Sequence, residues 1–323
     1  MNFTIEEVKQ FQKDIFIFDL HGHKDGLLPK IPRILNWKHI PKDIKLSDLS
    51  GTGVNGFIIC ALGDSNTFKI RKIDNYKMVL LQIEEIKKKI LEADGIIATT
   101  AQQISKAILE KKSVFVLGIE GGDFLEHNIE RLTTVFNKGV RLLSLVHYSK
   151  NSLGSINFGW KGKVIPESEQ TGLTHFGKDV VKKANKLGIL LDLAHADEKT
   201  TLDVAGISNS PVICSHSGPR KLQNFPRYVS DKALKAISST GGMVGMWAFN
   251  NKGVGVRNID NFIEYTKYIV NLIGIDHVGI GTDINGVPGN MEGYENLFDL
   301  YKVTYEFLCA GFTKNDMKLS LIH

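Results

Sequence analysis

The chain predicts an α/β fold, a (β/α)8 TIM barrel with a metal site at the C-terminal ends of its strands, and three observations carry that expectation. Its length is 323 residues. Short runs rich in Val and Ile alternate with longer segments of helical periodicity along almost the whole chain, and side chains able to bind metals follow the ends of several of those runs. Barrels of this kind need roughly 250 residues and count as one domain, so a single domain over 1–323 is expected. Alternation of this sort places a parallel sheet beneath covering helices.

The expected strands are Asp14–Phe18, Gly56–Ala61, Ser113–Ile119, Val140–Val146, Ile189–Leu193, Pro211–Cys214, Met243–Met246 and His277–Gly281, with an extra short one at Ile96–Ala98. Runs such as FIICAL and ILLDLA are apolar without alternation, the pattern of strands buried on both faces. Between strands, Ile259, Phe262, Ile263, Ile269, Leu272 and Ile273 recur at helical spacing before Gly274, and Val180, Val181, Ala184 and Leu187 do so before Gly188. A glycine there supplies the left-handed conformation that ends a helix. The segment from Tyr148 to Thr171, rich in Gly, Ser and Asn, reads as a long active-site loop.

Composition narrows the function. Apolar residues at 42% and charged residues at 23% allow a substantial core. The net charge of +5 comes from scattered lysines, and the run Lys87 to Lys89 reads as a solvated helix face. A basic stripe interleaved with aromatics is missing from the sequence, so nucleic acid is not expected as a partner. Cys60, Cys214 and Cys309 are odd in number and each sits in an apolar run, which reads as buried thiols in a reducing compartment. The N-terminal MNFTIEEVKQFQKD lacks a signal-peptide core, and no stretch approaches the roughly 20 apolar residues of a membrane span. A cytoplasmic location without membrane attachment is the expectation.

The chemistry lies in position. His21 and His23 follow the first strand in FDLHGHKDG, two apart and able to face one ion. Glu120 ends GIE before Gly121 and Gly122, where small residues allow close approach and a carboxylate could bridge two ions. His195 follows the fifth strand in LLDLAH and His216 the sixth in VICSHS, as neutral imidazoles suited to such metals. Asp283, in VGIGTD, is a carboxylate placed to move a proton. Singly, each has an ordinary structural reading, and Asp192 reads as no more than a buried hydrogen-bonding partner. Together, at one end of a barrel, they point to a metal centre.

The segments GIEGG, GVRLLSLVH, TGLTHFGKDVVKKANKLGILLDLAH, PVICSHS and HVGIGTD resemble the renal (membrane) dipeptidase family over nearly the whole chain. That resemblance implies a (β/α)8 barrel and a metallo-dipeptidase acting on a small-molecule dipeptide. It implies two Zn2+ ions per chain held by His21, Glu120, His195 and His216, with Glu120 shared, and a homodimer. It further implies that His147 polarises the scissile carbonyl, that Asp283 manages proton transfer, and that Arg227, in FPRYV, holds the substrate's terminal carboxylate.

Departures from the family pattern leave alternatives open. The family motif after the first strand is D-x-H-x-D, whereas this chain has Asp19, His21 and His23. A second register would instead use His23 and Asp25. The His21/His23 register is preferred, and it resembles the H-x-H of the wider amidohydrolases, which admits another small amide or lactone as substrate. A third reading is a barrel that has lost hydrolysis and serves as a metal-binding or scaffold protein. Tyr148 stands where the family has Asn, and Asn285 where it has an acidic residue. The sequence stops inside a helix opened by a Thr313 to Asp316 capping pattern, and family members continue further, which makes a truncated C-terminus one expectation.

Overall fold

A computed structural model describes residues 3–26, 43–65 and 74–322. Eight parallel strands close on themselves: β1 (Phe18–Gly22), β2 (Gly56–Leu62), β3 (Val114–Glu120), β4 (Val140–Ser144), β5 (Leu190–Asp192), β6 (Val212–Ser217), β7 (Met243–Met246) and β8 (Val278–Ile280). Neighbours in sequence pair throughout, and Asp19 of β1 lies opposite Ile280 of β8 to close the ring. The fold is the expected (β/α)8 barrel. The extra short strand is Ile96–Ile97; it pairs with Val114 and Phe115 on β3, below the point at which β4 joins at Leu117.

Alternate strand residues divide the core. Phe18, Leu20, Ile58, Cys60, Leu142 and Ile213 form one buried cluster, which fills the barrel interior. Phe57, Ile59, Leu117 and Leu143 pack outward in a larger cluster with helix residues such as Val79, Ile83 and Val180. Apolar side chains on both faces explain why these strands lack polar alternation.

The first strand lies four residues beyond its expected place. Helix α1 (Ile5–Asp14), capped reciprocally by Thr4 and Glu7, runs up to Asp14, and the IFIF run largely precedes the strand. Polar Asp19 and His21 lie within it because their groups find partners across the barrel: Asp19 accepts from the Thr282 N–H at 2.9 Å and from the Thr282 hydroxyl. A register shift between Asp19 and Gly22 re-aims the end of the strand, as bulges beside functional sites do.

The helix His175–Leu187 buries Val180, Val181 and Ala184 and ends at Gly188 in the left-handed region (φ 77°, ψ 34°). The helix Ile259–Ile273 ends differently, since Gly274 combines φ 91° with an extended ψ of 154°. The expected loop from Tyr148 carries a small hairpin of Phe158–Gly159 against Lys163–Val164. Cys60 and Cys214 are buried, but Cys309 is exposed; the apolar run around it covers one face of a helix (Leu300–Cys309) whose buried positions are Leu300, Val303, Thr304, Phe307 and Leu308, and Cys309 falls on the other. Among the described residues no helix is long and apolar enough to cross a membrane.

Candidate metal centre

Glu120 is the last residue of β3, and five imidazoles surround its buried carboxylate. His21 Nε2, His195 Nε2 and His216 Nε2 lie 3.3, 3.1 and 3.7 Å from Oε1, while His23 Nε2 and His147 Nε2 lie 3.3 and 3.5 Å from Oε2. All six residues are buried. The ligand atoms of His21, His23 and Glu120 fall within 4.8 Å of one another, as do those of Glu120, His147 and His195. His216 Nε2 is 3.2 Å from His195 Nε2. The structure therefore brings together every residue singled out as a ligand, with His147 entering the group as well.

Backbone geometry serves this convergence. Gly121 turns the chain after Glu120 with φ 95°, and a Cβ on the facing Gly63 would lie 1.7 Å from the Gly121 carbonyl oxygen. His195 and Asp283 adopt left-handed φ values of 69° and 56°. That conformation costs a residue with a Cβ on the order of 1–2 kcal/mol, and such outliers cluster where function holds them.

Burial and neighbouring charge set the proton affinities. Burial raises Glu120, but the imidazoles of His147, His21 and His195 close around it override that and hold the carboxyl well below its ordinary range. Burial lowers His195 and His216, and the Arg227 charge adds to it in both, with His147 acting on His195 and His21 on His216. Neutral imidazoles result, with lone pairs available to a cation. Burial also lowers His21, yet Cys60 and Glu120 outweigh it and its net shift is upward. Asp283, 3.5 Å from His23 Nε2, is pushed up to about 6 by burial, against the opposing pull of His21 and His23.

These residues fit a divalent cation. Among the described residues, His21 Nε2 and Asp283 Oδ1 are buried without a hydrogen-bond partner, and so is His195 Nδ1. Two neutral imidazole nitrogens facing each other at 3.2 Å, beside a bare carboxylate, form a donor set that a cation satisfies better than any internal hydrogen bond.

Asp25 stands apart, since its Oδ2 accepts from Lys89 Nζ at 2.7 Å. Arg227 is buried, with Nε and Nη2 unpartnered among the described residues, and its guanidinium carbon lies 5.1 Å from the Trp247 ring centroid. It shares with Asp283 and Tyr148 the lining of a cavity of about 490 Å3. Asn285 is instead tied into the framework: its Nδ2 donates to the carbonyls of His23 and Ile44, and its Oδ1 accepts from the Ile44 N–H, each at 3.0 Å.

Two residues escaped sequence reasoning. Asp64, fully buried, faces His147 Nδ1 at 3.0 Å and accepts from the Tyr148 N–H at 3.3 Å; it follows the end of β2, so the strand-end rule that marked the others applied to it equally. Ser215, within β6, has its Oγ 3.2 Å from His21 Nδ1 and 2.9 Å from His216 Nδ1, and nothing in its sequence position marks it. Asp192, read as a buried hydrogen-bonding partner, accepts from Ser144, Ser215 and Ala194.

Comparison with known proteins follows the same lines. The family model described as membrane dipeptidase (peptidase family M19) matches residues 5–322. The dipeptidase tcpJ of Claviceps purpurea is 28% identical over 226 residues, a match spanning 68% of this chain and 51% of that relative, so it extends over about half of the relative's length. The crystal structure of the probable dipeptidase PvdM from Pseudomonas aeruginosa superposes with a TM-score of 0.83 at 17% identity, covering 98% of this chain and 95% of that one. A metallo peptidase from Rhodobacter sphaeroides, liganded with a phosphinate mimic of the dipeptide L-Ala-D-Ala, superposes with a TM-score of 0.79 at 21% identity over 95% of this chain and 96% of its own. At these identities both share the fold.

Proposed function

The chain belongs to the membrane dipeptidase family, and from that premise we propose that it is a metal-dependent dipeptidase with two zinc ions that share Glu120. The observation that carries this reading is the convergence of His21, His23, His147, His195 and His216 on one buried carboxylate at the strand ends. His21 and His23, grouped with Glu120, and His195 and His216, whose Nε2 atoms lie 3.2 Å apart beside Glu120 Oε1, support a pair of ions, and an imidazole-rich donor set suits zinc. Bound there, such ions supply Lewis acidity and a water acidic enough to attack a carbonyl near neutral pH.

The protein's own groups supply the rest. Arg227 offers unpartnered N–H groups to the carboxylate of a short substrate, a charge-assisted pairing, and anchoring that end favours dipeptides over long chains. His147, held by Asp64 at Nδ1, presents Nε2 to the scissile carbonyl oxygen and stabilises the charge that grows on it. Asp283, its carboxyl near 6, takes the proton of the attacking water and returns it to the departing amine as the C–N bond breaks. The placement of His23 3.5 Å from Asp283 favours a second reading, an H-x-H hydrolase of another small amide or lactone.

Metal content after purification, measured beside amine release from a dipeptide panel in native protein and Glu120→Gln, tests the proposal. Native protein should retain metal and release amine, and the variant should lose both. Metal-replete native protein that cleaves no dipeptide defeats the reading and favours the lactone or scaffold alternatives.

A further inference from the structure

The cavity that reaches Arg227 and Asp283 has a volume of about 490 Å3, within the range of roughly 300–1,000 Å3 of sites for small molecules. Among the described residues its charged groups near the centre are Arg227 and Asp283, and aromatic rings form the largest class in the rest of its wall. Among the described residues, Tyr148, Phe158, Trp160, Phe225, Trp247 and Phe249 line it.

Four of these rings form one continuous surface. Trp247 stacks on Phe249 at 4.3 Å, Phe249 on Phe225 at 6.1 Å, and Phe225 meets Phe158 edge-on at 5.4 Å. Phe225, Trp247 and Phe249 are buried, which fixes them from behind, and Phe158 is half-buried on the hairpin at the mouth. Rings already held in place lose little freedom when a ligand covers them. The wall begins beside Arg227, whose guanidinium lies against Trp247.

Resting on the dipeptidase reading, we infer that the substrate's carboxyl-terminal residue carries a bulky aromatic or other large apolar side chain. With the terminal carboxylate on Arg227, the substituent on the adjacent α-carbon is the one nearest the Trp247–Phe249 stack. A dipeptide of glycine or alanine leaves these rings wet, whereas an aromatic side chain meets them in the offset and edge-to-face arrangements that rings favour. A cationic side chain finds no carboxylate among the described lining residues beyond Asp283, and Lys161 at the exposed rim repels it.

The test is kcat/KM for metal-loaded protein on Gly-Phe, Gly-Trp, Gly-Ala, Gly-Glu and the reversed Phe-Gly, with both stereoisomers at the carboxyl-terminal residue. Gly-Phe or Gly-Trp should exceed Gly-Ala and Phe-Gly by on the order of 10- to 100-fold, the scale on which apolar pockets discriminate. Phe158→Ala, which truncates a half-exposed ring, and Phe225→Leu, which keeps apolar bulk, should each narrow the Phe-to-Ala ratio. In parallel, phosphinate analogues of Gly-Phe and Gly-Ala, titrated by calorimetry, should differ in affinity in the same direction, and each variant should reduce that difference. Equal rates across the panel, preference for Gly-Glu or Phe-Gly, or ratios unmoved in both folded variants overturn this inference and leave the dipeptidase reading standing. Metal-replete protein that cleaves none of the panel overturns both.

Discussion

Ser215 Oγ donates to Asp192 Oδ2 at 2.8 Å, and that bond uses the one proton a hydroxyl owns. Asp192 is already a full acceptor, taking the Ser144 hydroxyl at 2.6 Å and the N–H groups of Ala194 and Ser215 at 3.0 and 2.8 Å. Toward His21 Nδ1 and His216 Nδ1 the same oxygen has only lone pairs to offer. Both imidazoles must then carry hydrogen at Nδ1, which turns both Nε2 atoms toward Glu120.

Replacing Ser215 by Ala removes the acceptor that fixes two tautomers while leaving the barrel interior filled to within one oxygen atom. Metal affinity should fall by about 10- to 100-fold, the usual cost of losing a partner behind a ligand, measured by competition with a chromophoric chelator. An affinity equal to that of native protein would show that the tautomers are set by other means.

The two registers of the first motif separate by substitution. His21→Ala and His23→Ala each remove an imidazole 3.3 Å from Glu120 and should lower the metal content of purified protein. Asp25→Ala breaks the contact with Lys89 and should leave that content unchanged. The opposite pattern in metal analysis transfers the ligand role to Asp25.

The same motif marks what a sequence makes legible. Strands β2 to β8 announce themselves because residues such as Ile58, Leu142 and Val244 must be apolar on either face. The first strand is legible only to within four residues, because Asp19 and His21 look like loop residues until Thr282, distant in sequence, is seen to satisfy Asp19. Residues at the site were legible where chemistry and strand-end position coincide, as at Glu120 and His216. Asp64, just beyond the end of β2, was open to the same rule, whereas Ser215 matters through the partners it meets, and such pairings depend on distances across the barrel that no local pattern encodes.

Asp64 gives a prediction about protons. Burial lowers His147, but the carboxylates of Asp64 and Glu120 outweigh it, and its net shift is upward. If protonated His147 donates to the carbonyl oxygen, activity is lost as pH rises through that raised value. Asp64→Asn keeps an acceptor for Tyr148 and removes the charge, so the alkaline limb of the kcat profile should move to lower pH. At neutral pH kcat should fall by up to about 100-fold, within the range for weakening one oxyanion donor, with little change in KM. A limb that stays in place in the folded variant refutes the role given to Asp64.

Asp19 links the closure of the barrel to pH. It is fully buried, and burial pushes its carboxyl up to about 6, against the hydrogen bonds from Thr282 and His21 that pull it down. Its ordinary value is 3.8, so the folded chain binds this proton more tightly than the unfolded one. By linkage, this group's contribution to stability is greatest below about pH 4 and declines as pH rises toward about 6, a swing on the order of 3 kcal/mol. Asn at this position keeps an acceptor for the Thr282 N–H and does not titrate. In chelator-treated protein, the stability of Asp19→Asn relative to native should therefore grow from pH 4 to pH 6 and level off above it. Urea denaturation of both proteins across that window measures the difference, and a gap that stays constant or shrinks with rising pH would mean that Asp19 is ionised in the fold throughout.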